Sequence, residues 1–290
     1  MRARAPGKLV LSGSYAVLEG APALVVAVDR YVLADSEREA AFVTEEVAAA
    51  IEAGDLERAP WFDASALRHD DRKLGLGSSA AILVASLAAG GLDTAKLFPA
   101  ALAAHRKAQA GGSGVDVAAS CFGGVSLCRL EAGGLAVTPR ELPSDVVIEV
   151  YACGEAARTS AMLEAVRAFA TRDVVRYRAI MVQLCGGSEV AAGAGTGSDL
   201  VSALRVQADG LAALGDAAAV PIVTPAVAAL DALARDAQAC FLPAGAGGGD
   251  IACYCGLAES SPAWRARATE HGLTRVALSL GARGVHAVHR

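Results

Sequence analysis

Gly75-Leu76-Gly77-Ser78-Ser79-Ala80 sets glycines and hydroxyls beside a helix start, a combination suited to holding an anion. The glycines leave backbone N–H groups bare, and the apolar run Ile82 to Leu87 reads as the helix that follows. Bare N–H groups at the positive end of a helix favour negative charge, above all a polyphosphate. Ser78 and Ser79 add donors to phosphate, or an oxygen ligand for Mg2+, a hard cation that keeps most of its waters. The plain alternative is a Gly-Ser N-cap of a buried helix, the commoner case on the local string alone. The stretch also fits the dinucleotide pattern G-x-G-x-x-A, which needs a strand directly before it and an acid about 20 positions on. Arg68 to Lys73 reads as no strand, and Asp93 follows a Gly-Gly break. No Gly-Lys-Ser/Thr closes a Walker loop. The loop therefore holds phosphate by another scheme or holds none.

Two more stretches carry chemistry-bearing residues. Asp116 follows Gly111-Gly112-Ser113-Gly114 at an expected helix start, where exposed N–H groups stabilise an anion. An ordinary first-turn acid is the plain alternative. Gly245-Ala246-Gly247-Gly248-Gly249-Asp250 lies between two apolar segments and is far from an ordinary hairpin turn. A ligand contact is favoured there over a free lid.

The elements that must position these residues are read from periodicity and breakers. Lys8 to Leu11 and Ala23 to Val28 are expected strands, joined through Gly20-Ala21-Pro22. Residues 40–53 fit a short helix or an amphipathic strand equally, and Trp61-Phe62 is expected in the core. Ala80 to Ala89 and Thr94 to Gln109 are expected helices, and Val146 to Ala152 is an expected strand. A helix over 160–185 should end at a Gly186-Gly187 gap, with another gap at Gly193 to Gly197. Helices near 199–214 and 225–238, a strand Cys240 to Leu242, a strand Ile251 to Gly256 and a helix Pro262 to His271 follow. Arg275 to Leu280 and Gly284 to Val288 are read as closing strands. Strands at both ends with helices between fit an α+β sandwich.

Composition narrows the class of protein. With 290 residues, 54% of them hydrophobic and 20% charged, the chain is globular. A net charge of −5 without a Lys/Arg cluster argues against a nucleic-acid surface, so an anionic substrate must meet a local basic pocket. No signal peptide or membrane span is read. Seven cysteines without a C-x-x-C pair point to reduced thiols and a cytoplasmic setting, and five histidines without ligand spacing argue against structural zinc.

Three segments together resemble the GHMP kinase superfamily, the small-molecule kinases of galactose, homoserine, mevalonate and phosphomevalonate. Ala5-Pro6-Gly7-Lys8 with Ser12-Gly13-x-Tyr15-Ala16-Val17 is similar to its first motif, Gly75 to Ala81 to its second, and Gly245 to Asp250 to its third. In this order the three span nearly the whole chain. Glu19-Gly20-Ala21-Pro22-Ala23-Leu24, Val28-Asp29-Arg30, Lys73-Leu74-Gly75, His105-x-x-x-Gln109 and Gly112 to Ser120 resemble the phosphomevalonate kinase branch. Mevalonate kinases tend to carry an acidic metal ligand about where His105 stands. Ser14 stands where the family usually has Glu, and the chain is short for that branch.

The resemblance implies a two-domain α+β fold, a ribosomal-protein-like α/β domain over 1–145 and a ferredoxin-like domain over 146–290. It implies ATP and Mg2+, with Gly75, Leu76, Gly77, Ser78, Ser79 and Ala80 on the phosphates and Ser78 or Ser79 on the metal. Lys8 and Asp116 become the catalytic pair; Lys8, Ser113, Gly114, Asp116, Ala246 and Gly247 would meet the acceptor, with Arg106 and Lys107 as further phosphate candidates. The implied reaction turns 5-phosphomevalonate into 5-diphosphomevalonate in isoprenoid synthesis. A GHMP kinase with an alcohol acceptor, such as mevalonate kinase, and a catalytically silent ligand-binding relative are the alternatives. Implied partners are a small phosphorylated substrate, no nucleic acid and no membrane, for a monomer or homodimer.

Overall fold

The computed structural model describes residues 1–69, 72–109, 112–154 and 159–288. The chain forms two compact units. The first comprises Met1–Leu9, Val25–Arg140 and Leu278–Arg290; the second comprises Val10–Leu24 and Glu141–Ala277. Neither unit is continuous in sequence.

The first unit is built on strand β1 (Arg2–Ser12) and the long strand β2 (Ala23–Glu39). Residues 10–12 of β1 and 23–24 of β2 group with the second unit. β2 runs on past Asp29-Arg30, where the sequence suggests an end. Its first six residues are all buried, and beyond them burial turns patchy, with Val32, Ala34 and Asp35 still covered. The charged pair therefore marks a change in how the strand is covered and not its end. Residues 40–53 resolve as helix α1 (Glu45–Glu52), because Thr44 caps it by accepting the Val47 N–H. β3 (Pro60–Asp63) pairs with β2; Trp61 and Phe62 on it are only half-buried, with the Arg38 guanidinium 3.8 Å over the Trp61 ring.

Two short strands, β4 (Arg68–His69) and β5 (Arg72–Lys73), pair antiparallel just ahead of the glycine loop, where no strand is read from the sequence. Asp70 and Asp71 lie outside the described residues. A two-residue antiparallel ladder is not the parallel βαβ strand of a dinucleotide site, so that pattern stays excluded. Helices α2 (Ser78–Ala89), α3 (Thr94–Ala108) and α4 (Val115–Phe122) follow. From Ala80 to Leu87 every residue of α2 is buried, which explains its Ala, Leu and Val content. β6 (Val125–Glu131) and β7 (Gly134–Arg140) form a hairpin with no counterpart in the sequence reading. The sheet order is a C-terminal strand (His286–Ala287), β1, β2, β6, β7, with β3 added to β2.

The second unit is a β-α-β-β-α-β arrangement. β8 (Val147–Cys153) is followed by α5 (Thr159–Arg172), α6 (Val174–Gly193), α7 (Gly197–Ala218) and α8 (Pro225–Asp236). Then come β9 (Cys240–Pro243), β10 (Ile251–Gly256), α9 (Pro262–Glu270) and β11 (Leu273–Arg275). The order β11-β8-β10-β9, antiparallel throughout, is the ferredoxin-like order that the resemblance implies. The single helix expected over 160–185 is two, since Asp173 breaks the run and caps α6 through the Arg176 N–H. Gly186-Gly187 is no gap but lies inside α6. A Cβ on Gly187 would stand 2.8 Å from Gln207 Cγ and 3.2 Å from the Ala203 carbonyl, so the glycine lets α6 close on α7. The strand expected over 275–280 is confined to β11; beyond it Leu280 makes one isolated bridge to Val28. An aromatic cluster of Tyr151, Phe241, Tyr254 and Trp264 fills the core behind the sheet.

Candidate active site

In the first unit the glycine loop is pinned by its leucines. Leu74 and Leu76 are buried, and the Lys8 N–H donates to the Leu76 carbonyl at 2.9 Å. Gly75 and Gly77 between and after them take positive φ values of 69° and 74°. Gly77 is the N-cap of α2, and no side chain caps the helix there. The first-turn N–H groups of α2 are thus left for another acceptor, with the half-buried Ser78 and Ser79 beside them.

Lys8 is brought to the same place by β1. The side chain is 9% exposed, and Nζ donates to the Gly75 carbonyl at 3.1 Å. A Cβ on Gly77 would sit 3.0 Å from both Cγ and Cε of Lys8 and 3.5 Å from Cβ of Asp116. Lys8 and Asp116 therefore converge on the bare face of Gly77. The strand can come this close because Gly7 has no side chain to strike Leu67 or the Leu76 carbonyl. The hydroxyl of Ser120 donates to the Pro6 carbonyl at 2.8 Å and ties α4 to the same strand.

Asp116 stands in the first turn of α4, whose N-cap Gly114 (φ 80°) also leaves the turn uncapped by a side chain. Its Oδ1 accepts the Val117 N–H at 3.1 Å and lies 3.3 Å from Nε2 of His105. His105, on α3, is 2% exposed, and its Nδ1 has no partner among the described residues. The oxygen that accepts the Val117 N–H is thus the one that faces the His105 ring. Burial first, then the negative field of Asp116, push the nearby Cys128 thiol up to about 12. That cysteine keeps its proton near neutral pH.

In the second unit the third glycine loop, Ala244 to Asp250, joins β9 to β10. Gly247 (φ 83°) passes so close to Ile222 that a Cβ would reach 2.2 Å from its carbonyl oxygen, and the Gly248 N–H donates to that carbonyl at 3.2 Å. Tyr15 donates its hydroxyl to the Ala246 carbonyl at 2.7 Å, and burial holds its phenol well above the usual range. Ala246 and Gly247 are thus engaged within their own unit. Tyr15 adopts a positive φ of 62°, a backbone state costing roughly 1–3 kcal/mol outside glycine. Behind it the Gln207 amide accepts the Gly13 N–H at 2.8 Å and exchanges hydrogen bonds with Ser12.

The structure thus brings together Lys8, Gly75, Leu76, Gly77, Ser78, Ser79, Ala80, Ser113, Gly114 and Asp116 in the first unit. Lys107 is engaged by Glu52 at 2.6 Å on the surface. Gly111 lies outside the described residues. The contact of His105 with Asp116 and that of Tyr15 with Ala246 were not visible in the sequence, because each joins separate elements. Among the described residues no three His, Cys, Asp or Glu form a metal cluster, and no helix is long and apolar enough to cross a membrane.

No family model matches the sequence. Among solved structures, a Lin0012 protein from Listeria innocua gives a TM-score of 0.82 over 98% of this chain and 99% of that one, at 21% identity. The phosphomevalonate kinase of Streptococcus pneumoniae, in complex with phosphomevalonate and AMPPNP, gives 0.72 over 97% and 99%, at 20% identity. The fold is that of the GHMP small-molecule kinases. In sequence, the phosphomevalonate kinase of Streptomyces sp. (strain CL190) is 30% identical over an alignment of 333 positions that covers 88% of each chain. The chain belongs to the phosphomevalonate kinase family.

Proposed function

We propose that the protein transfers the γ-phosphoryl group of ATP to the phosphate of 5-phosphomevalonate, yielding 5-diphosphomevalonate and ADP for isoprenoid synthesis. The observation that carries this reading is the convergence of Lys8 and Asp116 on Gly77, at a helix start that no side chain caps. Family membership supplies the acceptor. Phosphoryl transfer needs in-line positioning and charge neutralisation more than covalent help. Backbone N–H groups from Gly75 to Ala80 cradle the nucleotide phosphates, and Lys8 neutralises charge on the group in transit. Ser113 and Gly114 at the start of α4 border the acceptor.

An acceptor phosphate oxygen forms the new bond to phosphorus while the bond to the β–γ bridging oxygen breaks, and ADP leaves with the electron pair. Because a phosphate monoester has a second pKa of about 6, its oxygen is already ionised near neutrality. Asp116 has no proton to remove and orients Lys8 and the acceptor. The hydroxyls of Ser78 and Ser79 fit Mg2+, which takes few protein ligands and relies on substrate phosphates and water. The ion would spread the charge of the phosphates. The reading puts the enzyme in the cytoplasm, which seven cysteines held in no disulfide support.

A coupled ADP-release assay across mevalonate, 5-phosphomevalonate, homoserine and galactose tests the proposal. Turnover with 5-phosphomevalonate, and phosphorus NMR signals of a diphosphate product, are expected. Turnover of mevalonate with none of 5-phosphomevalonate would sink it.

A further inference from the structure

The outward face of α6 carries apolar side chains where a surface helix ordinarily carries polar ones. Ile180, Met181, Leu184 and Ala191 on its inner face are buried in the helical core of the second unit. On the outer face Val175, Val182 and Val190 are 77%, 73% and 57% exposed, and Val206 on the neighbouring α7 is 41% exposed. Gln183 donates to the Val206 carbonyl at 3.0 Å, which holds the rim of α7 beside this face. At about 3.6 residues per turn, Val175, Ala179, Val182, Gly186 and Gly193 fall on one stripe along the helix. Single exposed valines are ordinary, but a continuous stripe on a helix already buried behind is an interaction surface.

We propose that this stripe binds a second copy of the chain, with the two α6 helices packed antiparallel about a twofold axis. The residues themselves set the register. Arg178 and Glu189 are both exposed and lie about three turns apart, hence on the same flank of the stripe. With the axis level with Leu184, Arg178 comes within one residue's rise, about 1.5 Å, of the height of the partner's Glu189, and the symmetry repeats the pair. In that register Val182 meets the partner's Gly186, and Val175 meets the partner's Gly193. Each protruding valine faces a residue without a side chain, the arrangement that lets two helices pack closely. A parallel pair would set valine on valine along the stripe and leave Arg178 and Glu189 at different heights. The charge pattern and the steric pattern select the same antiparallel geometry, and neither depends on the activity proposed above.

Sedimentation equilibrium on the full chain tests this. The wild type should be a dimer at micromolar concentration. Val182→Glu should convert it to a folded monomer with an unchanged far-ultraviolet circular dichroism spectrum, because the residue is largely in solvent within one copy. Arg178→Glu and Glu189→Arg should each weaken the dimer about tenfold by placing like charges together twice, and the double variant should restore it. A wild type that stays monomeric at tens of micromolar would overturn the proposal. So would a dimer that Val182→Glu leaves intact, or charge reversals whose effects simply add. Capture of another protein or of lipid vesicles by a monomeric wild type would equally count against a second copy as the occupant.

Discussion

Gly77→Ala should damage catalysis through Lys8, and Gly54→Ala separates that effect from simple strain. Both glycines hold positive φ, 74° and 80°, so alanine at either costs roughly 1–2 kcal/mol of folding stability. The neighbours differ. A Cβ on Gly54 meets nothing within 4 Å, whereas one on Gly77 stands 3.0 Å from two carbons of the Lys8 side chain. Carbon atoms pack comfortably at about 3.5–4.0 Å, so Lys8 must retreat by roughly 0.5–1 Å. A misplacement of that size at a reacting group is worth about tenfold to a hundredfold in rate. Both variants should therefore lose a similar few degrees of melting temperature, and only Gly77→Ala should lose kcat. Melting curves and steady-state kinetics with 5-phosphomevalonate and Mg-ATP measure the two quantities. Equal kcat in the two variants would refute the link between Gly77 and Lys8. A change confined to the KM for ATP would place the effect on the phosphate cradle.

Three further outcomes are expected. Lys8→Met should lower kcat more than it raises the KM for ATP, because its charge matters most as the phosphoryl group moves; a pure KM effect would make Lys8 a ground-state contact. Asp116→Asn should retain measurable turnover of a phosphate acceptor, with kcat/KM still rising near pH 6 as the substrate ionises; loss beyond about a hundredfold would mark Asp116 as a general base. The third concerns stability at acid pH. Burial alone would raise the Asp35 carboxyl, but the Glu37 N–H and the Arg2 guanidinium at 2.9 Å outweigh it and hold the group below the usual range. A depressed folded-state pKa contributes stability above the unfolded value of about 4 and loses it as pH falls through the folded value. Asp35→Asn should thus be less stable than wild type at pH 7, with the gap narrowing as pH falls below about 4; urea melts showing a constant gap would contradict this.

The glycine loops were legible because their chemistry is local. Gly75, Gly77 and Gly247 are glycines for reasons of backbone angle and close approach, and that demand appears directly as residue type. The buried run of α2 was legible in the same way, from unbroken small and branched apolar residues. Gly186-Gly187 misled because a glycine pair signals a break in a helix as readily as close packing between two helices. Only Gln207, twenty residues on, shows which it is. Asp29-Arg30 misled because charge in a strand marks solvent, and β2 passes into solvent without stopping. The short ladder before Gly75 left no apolar alternation to read. His105 and Tyr15 could be listed from resemblance, but their contacts depend on how α3 meets α4 and how the first motif meets the third loop.

The interleaving of the two units has a consequence during synthesis. The first unit needs residues from the last stretch of the chain: the Gly281 and Ala282 N–H groups donate to the Ala27 carbonyl, and the Gly124 N–H donates to the Ala282 carbonyl while its own carbonyl accepts the Ala27 N–H. Gly284 fits only because Gly123 opposite it is bare. The second unit, by contrast, has received every residue it uses once Ala277 has been added. On the ribosome the N-terminal sheet must therefore wait, its seam beside Ala27 and Gly124 open, until residues 281–288 clear the exit tunnel, while the other unit already has its residues. Cutting the gene near codon 145 would not yield two folding halves. The upstream piece would lack its closing strand, and the downstream piece would lack Tyr15 and Ala16 from its own core.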